Sequence, residues 1–427
     1  MRENTNIYFD PSEYIRNFQQ LLASDKKKIG FLFGAGTSLV INPQTGGPYV
    51  PAIGKMTSEI EDDLSKTEKY QTAIIDIKKE IEQDGSKYTI ETLLTKLELK
   101  RQVVGSGCIN GLTKNDLENL IKDIKQKIHG IVSVEGNIIQ IIKANNFIHS
   151  TFAEWIGKAD RKNGVEIFTT NYDYLFEIAL EDKSVPYYDG FSGSYKPFFD
   201  GESVNDMSFL SKQTKLWKIH GSLGWYWDEN YNRIVRKTDS SSEKDIMIFP
   251  STLKYDQSRK QPYTALGDRL TNFIKQDDSI LVVCGYSFGD EHINERIISA
   301  LDSNQLSHVY VLLYDKYFEG DVKNFSFTKD SDVAKIALAH SKISVFAARA
   351  AVIGGVFGQW KLKREPDKDD SLNIDLYFDE DACANEDDII GEPIKQIWEG
   401  GGELTLPDFT KFVGFLQNMI FDNITEK

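Results

Sequence analysis

Five short apolar runs constrain this chain more than any other feature. Ile29–Phe33, Val165–Thr169, Ser279–Cys284, His308–Leu313 and Lys342–Phe346 are rich in β-branched and aromatic residues. Each runs into turn or helix-start residues. Such runs read as strands buried on both faces, which places them in a parallel sheet covered on both sides. Helical stripes separate several of them. Tyr172, Leu175, Phe176 and Ala179 share one face of Asn171–Ala179, and Ile293, Ile297, Ile298 and Leu301 share one face of Glu291–Leu301. The alternation predicts an α/β fold with an open, doubly wound parallel sheet.

Helical periodicity fills the gap between the first two runs. Met56–Glu82 carries Ile60, Leu64, Ile74, Ile75, Ile77 and Ile81, and Tyr88–Leu99, Leu117–Ile128 and Asn137–Ile156 are also periodic. This predicts a helical insert over about 56–160. Residues 186–275 are richer in Gly, Ser, Trp and Tyr and read as loops and short strands beside the sheet. Residues 1–27 read as an N-terminal helical arm, 28–347 as the main domain and 348–427 as an acidic and helical extension. Within the extension, Asp367 to Asp388 form a solvated acidic run. Phe412, Phe415, Leu416, Met419 and Ile420 then mark an amphipathic helix capped by Asp408. That helix has two readings, one packed back on the body and one forming an assembly surface.

Composition narrows the classes. The 427 residues suggest two or three domains, and 40% hydrophobic content supplies a substantial core. A net charge of −15 argues against non-specific nucleic-acid binding. Cys108, Cys284 and Cys383 are too few for a disulfide scaffold or a four-cysteine zinc site, and read as reduced thiols, so no metal is expected. No apolar stretch approaches eighteen residues, and the expectation is a soluble, cytoplasmic protein that does not enter a membrane.

Four strand-end motifs carry the candidate chemistry. Gly34-Ala35-Gly36-Thr37-Ser38 could bring backbone N–H groups and hydroxyls to a diphosphate, or could be a tight turn. Leu39 occupies the place of the third glycine of a standard dinucleotide fingerprint. Thr170-Asn171-Tyr172-Asp173 puts an amide and a carboxylate at the crevice edge, where Asn171 could equally cap a helix. His220-Gly221-Ser222, flanked by Trp217 and Trp225, holds the most site-like of six histidines, a candidate general base. Gly285-Tyr286-Ser287-Phe288-Gly289-Asp290 is either a ligand turn or a nucleophile elbow with Ser287 as nucleophile. His292, inside the following helix, reads as surface or packing.

In this order the four motifs, with Pro51-Ala52-Ile53-Gly54 after the first, resemble the sirtuin-like superfamily, and more narrowly its bacterial branch that hydrolyses NAD in anti-phage defence. The resemblance covers about residues 28–315. It implies a Rossmann-like NAD site in which Gly34, Ala35, Gly36, Thr37 and Ser38 contact the diphosphate. Asn171 matches the asparagine that positions ribose or water. Asp173 matches the aspartate near the nicotinamide amide, and His220 the catalytic histidine. Thr170 falls in the same cofactor-binding stretch, and Gly285 and Ser287 match the turn at the adenosine-side ribose or diphosphate. The paired Cys-x-x-Cys zinc motifs of the deacylases are absent, as is their acidic-aromatic-arginine element after Pro51. The resemblance therefore implies cleavage of the nicotinamide–ribose bond by water, with NAD+ as substrate and no metal. It also implies a homo-oligomer and a partner such as a hexameric DNA-translocase-type ATPase or an Argonaute-like protein. Two other readings stand beside it. One is a serine hydrolase using Ser287 with Asp315 or Asp321 and His340. The other is an NAD-sensing scaffold without turnover.

Overall fold

The computed structural model describes residues 7–134, 142, 147–159, 161–237, 245–247, 261–367, 370–381 and 398–425. The buried apolar runs pair as strands. In chain order the central sheet contains β1 (Tyr8–Phe9), β2 (Lys28–Phe33), β3 (Glu166–Thr169), β4 (Tyr187–Tyr188) and β5 (Thr214–Lys218). It continues with β6 (Ser279–Cys284), β7 (His308–Leu312), β8 (Ile343–Phe346), β9 (Ala350–Ile353) and β10 (Val356–Trp360). Across the sheet the order is β1-β10-β9-β8-β7-β6-β2-β3-β5-β4. The six strands from β5 to β8 are all parallel. Counted along the chain they lie in the order 3-2-1-4-5-6, that of the dinucleotide-binding Rossmann sheet. The fold is thus Rossmann-like, and the five expected strands are all present within a residue of their expected limits.

The sixth parallel strand, β5, was not expected. It comes from the stretch read as loops and short strands beside the sheet, not as part of it. Its sequence, Thr-Lys-Leu-Trp-Lys, hides a strand buried along its whole length, because Lys215 and Lys218 are each only 2% exposed. Protein carbonyls replace water around both ammonium groups. Lys215 Nζ donates to Leu210 O at 3.0 Å, and Lys218 Nζ donates to Tyr172 O at 3.3 Å. The same stretch also supplies a helix, Tyr263–Ile274, whose fully buried Arg269 makes two bonds to Glu166 at 2.9 and 2.6 Å. Trp217 Nε1 donates to the same carboxylate at 2.7 Å. A smaller antiparallel sheet that includes Gly221–Asp228 and Arg233–Arg236 completes the region.

The helical insert is smaller than expected. Ile53–Leu64, Glu68–Gln83, Ile90–Val103 and Lys114–Val132 share their own core, which includes Ile60, Ile77, Leu94 and Ile124. The next helix, Ile148–Lys158, packs on the sheet instead: Phe152 meets Phe31 and Phe33 edge-on at 5.2 and 5.3 Å. Most of residues 135–146, part of the expected Asn137–Ile156 helix, lies outside the described residues.

The limits expected at 27/28 and 347/348 fall inside one core. The arm helix Pro11–Ala23 buries Ile15, Phe18 and Leu22 against the sheet, and β1, β9 and β10 extend that sheet. The C-terminal helix Phe409–Thr425 forms where its periodicity placed it, with Asp408 Oδ1 accepting from Lys411 N at 3.1 Å. Phe412, Phe415 and Leu416 are at most 1% exposed within the chain, and Phe18 and Phe415 stack at 5.8 Å. The packed-back reading therefore holds for this face. In the acidic stretch, Asp381 binds Arg349 at 2.6 Å, while Asp369 and residues 382–397, including Cys383, lie outside the described residues.

Candidate active site

Four neighbouring strands end level with one another. Cys284 pairs with Phe33, Phe33 with Thr169, and Thr169 with Lys218. The ladder continues one residue further: Gly34 N donates to Cys284 O (3.2 Å), Thr170 N to Phe33 O (3.1 Å) and Ile219 N to Thr169 O (2.8 Å). At the usual strand spacing, the four ends lie within roughly 15 Å. All four sequence motifs thus leave the sheet along one edge. That edge includes the switch point between β2 and β6, where open α/β sheets bind ligands.

At the switch point the two glycine turns meet backbone to backbone. A Cβ on Gly34 would lie 2.5 Å from Gly285 O, and one on Gly36 would lie 2.6 Å from Gly285 Cα. Gly285 has φ +68, which a side chain would strain. Gly36 N also donates to Gly285 O at 2.9 Å. Inter-loop packing therefore demands these glycines before any ligand does. Thr37 and Ser38, expected to offer hydroxyls to a diphosphate, are turned inward. Thr37 Oγ1 donates to Gly34 O at 2.9 Å, and Ser38 Oγ donates to Asp173 Oδ2 at 2.7 Å. Ala35 is the exposed residue of the turn.

Asn171 latches this turn. Its Nδ2 faces Gly34 O (3.1 Å), Thr37 Oγ1 (3.1 Å) and Ser38 Oγ (2.9 Å). A carbonyl can only accept, so the nitrogen must be the atom on the loop side. Any ligand role then falls to Asn171 Oδ1. Asp173 is buried; besides Ser38 it receives Leu175 N at 3.1 Å, which starts the helix Leu175–Asp182. It positions the Asn171 loop from within. Thr170 is half-buried beside it.

Beneath the loop lies an ion pair that sequence reasoning missed. Lys218 donates to the carbonyls of Tyr172 and Asp173 and meets Glu177 Oε1 at 2.8 Å. Burial pushes the Glu177 carboxyl up to about 7, against the opposing pull of Lys218. The available signal was proximity in sequence: Lys218 is the last residue of β5 and lies two residues before His220.

His220 lies just beyond β5 and is 2% exposed. The strand that follows it, Gly221–Asp228, is fastened to the Asn171 loop, since Leu223 N donates to Tyr172 O at 3.2 Å and Ser222 Oγ at 3.4 Å. Asn171 and His220 thus lie on adjacent strand ends with their loops joined. His292, read from sequence as surface or packing, lies with its ring centroid 5.5 Å from that of His220. Its place at the start of the helix that follows the Gly285 turn was the available clue. Other histidines lie elsewhere. His149 is sealed among Phe147, Phe176 and Phe409, where burial pushes it down to about 3.

The elbow geometry fails. Ser287 is exposed at the strand-end edge. His340 precedes β8, at the opposite edge of the sheet, beside Asp302 at 3.5 Å. A strand of this length separates the two edges by roughly 15 Å. Asp315 receives Ala348 N at 3.0 Å and Phe327 N at 3.3 Å, and Asp321 is exposed in a hairpin turn. No Ser-Asp-His relay joins these residues.

Among the described residues no group of three or more His, Cys, Asp or Glu side chains could hold a metal, and no helix is long and apolar enough to cross a membrane. No curated protein matches the chain. A family model described as the SIR2-like domain matches residues 165–333, the stretch that supplies β3 to β7 and the Asn171, His220 and Gly285 loops. That domain ties the chain to NAD-dependent enzymes. The chain thus carries a SIR2-like domain at residues 165–333, and the strand order and the four level strand ends agree with that match.

Proposed function

We propose that this chain is an NAD+ hydrolase that cleaves the nicotinamide–ribose bond and releases nicotinamide and ADP-ribose. The observation that carries the proposal is the level ending of β6, β2, β3 and β5, which gathers the glycine turns, Asn171 and His220 at one end of the sheet. As the bond breaks, its electron pair leaves with the pyridinium nitrogen, and nicotinamide departs neutral. No acid is needed for the leaving group. Charge develops on the ribose, and water adds to its anomeric carbon. His220 takes the proton from that water or from a ribose hydroxyl, and Asn171 Oδ1 orients the water. The rigid glycine turns hold the dinucleotide in place, so binding remote from the reacting carbon orients it.

The proposal includes a role as effector of a bacterial anti-phage system, restrained in the resting cell by assembly with copies of itself or with a partner. An ATPase of the hexameric translocase type or an Argonaute-like protein remains the proposed partner class. The helical insert is the surface offered for it, since the C-terminal helix buries its apolar face within the chain. Product chromatography after incubation with NAD tests the activity. Equimolar nicotinamide and ADP-ribose are expected from the wild type. His220→Ala should release about 10²- to 10⁴-fold less, the usual effect of removing a general base. NAD binding by calorimetry without any release would replace the hydrolase with a sensing scaffold.

A further inference from the structure

Beside His220 lies a second imidazole that the hydrolase mechanism does not use. His292 is half-buried, stands second in the helix Glu291–Ser303 and faces His220 with rings tilted by 30° and centroids 5.5 Å apart. The two residues come from opposite sides of the switch point, one after β5 and the other after β6. Only the fold brings them together, across the ends of the intervening β2 and β3. Around them, Asp290 and Glu291 lead into His292 on its own helix. Asp290 also acts on Tyr172 of the β3 loop, as do Glu91 of the insert and Tyr263 of the helix Tyr263–Ile274. His292 is the more exposed of the two rings, so an imidazolium is better solvated there than on the buried His220. Two imidazolium charges at this separation repel each other, which lowers the affinity for the second proton by about one to two pH units.

We infer that His292 is a positioning residue for the proton in the proposed hydrolysis: the pair holds one proton on His292, and His220 stays able to accept the proton from the attacking water. This rests on the hydrolase reading of the same site. The pair titrates in two macroscopic steps, and the step that silences His220 is the more acidic one.

The test reads the pair directly. With only six histidines in the chain, selective histidine labelling lets NMR follow His220. In His292→Ala, His220 should titrate in a single step about one to two pH units higher than in the wild type. The acid limb of kcat/KM for nicotinamide release should move up by the same amount, with little change at pH 8. His292→Lys, which fixes a positive charge at the position, should keep the acid limb at or below its wild-type position. An unmoved His220 titration in His292→Ala, or a loss of activity equal at every pH in both variants, would overturn the inference. Absence of nicotinamide release from the wild type alongside a coupled NMR titration would remove the hydrolase reading and leave the imidazole pair standing.

Discussion

Replacing Asn171 separates its structural role from its chemical one. Its amide nitrogen offers two N–H groups to three acceptors, Gly34 O, Thr37 Oγ1 and Ser38 Oγ, all at 2.9 to 3.1 Å. At about 1 kcal/mol net per bond, Asn171→Ala should cost about 2 kcal/mol. Asn171→Asp should cost more. It sets a carboxylate oxygen against the Gly34 carbonyl and a second buried acid near Asp173, which Ser38 already ties to the same turn. A buried charge without its partner costs about 3–5 kcal/mol. Unfolding entropy of about 2.1 cal/mol/K per residue over 427 residues turns these values into Tm losses of about 2 °C and about 3–6 °C. Differential scanning fluorimetry of the free protein measures both. An Asn171→Asp protein as stable as the wild type would refute the reasoning, because the nitrogen could not then face the turn.

Gly36→Ala sets a methyl group 2.6 Å from Gly285 Cα, where both partners are backbone and neither can swing away. Urea unfolding of the free protein should show a loss of about 1–3 kcal/mol, and an unchanged midpoint would mean that the glycines serve a ligand alone. Glu177 gives a pH signature. Its folded value of about 7 lies above the unfolded 4.5, so the folded state holds the proton more tightly. That contribution is full below 4.5 and fades as pH rises through about 7, at up to about 1.4 kcal/mol per pH unit. Glu177→Gln should flatten the stability profile across that window, and an unchanged slope would contradict the assignment.

Legibility in the sequence followed burial. The strands β2, β3, β6, β7 and β8 declared themselves because they are largely buried and mostly apolar, and the level strand ends follow from their parallel pairing. The strand β5 did not, because Lys215 and Lys218 find carbonyl and carboxylate partners only after folding. The Asn171, His220 and Gly285 turns could be read from motif and position. The inward turn of Thr37 and Ser38 could not, since it depends on Asn171 and Asp173, more than 130 residues away. His292 escaped for the same reason: its neighbour is not in its own helix but in a turn 72 residues earlier.

Hydrogen exchange with and without NAD, on His220→Ala so that the dinucleotide persists, tests most directly whether one molecule spans this edge. Protection should rise together in the turns around 34–39, 170–175, 219–223 and 285–292. At saturating NAD, unchanged exchange in those four turns, or protection confined to another part of the molecule, would contradict the site.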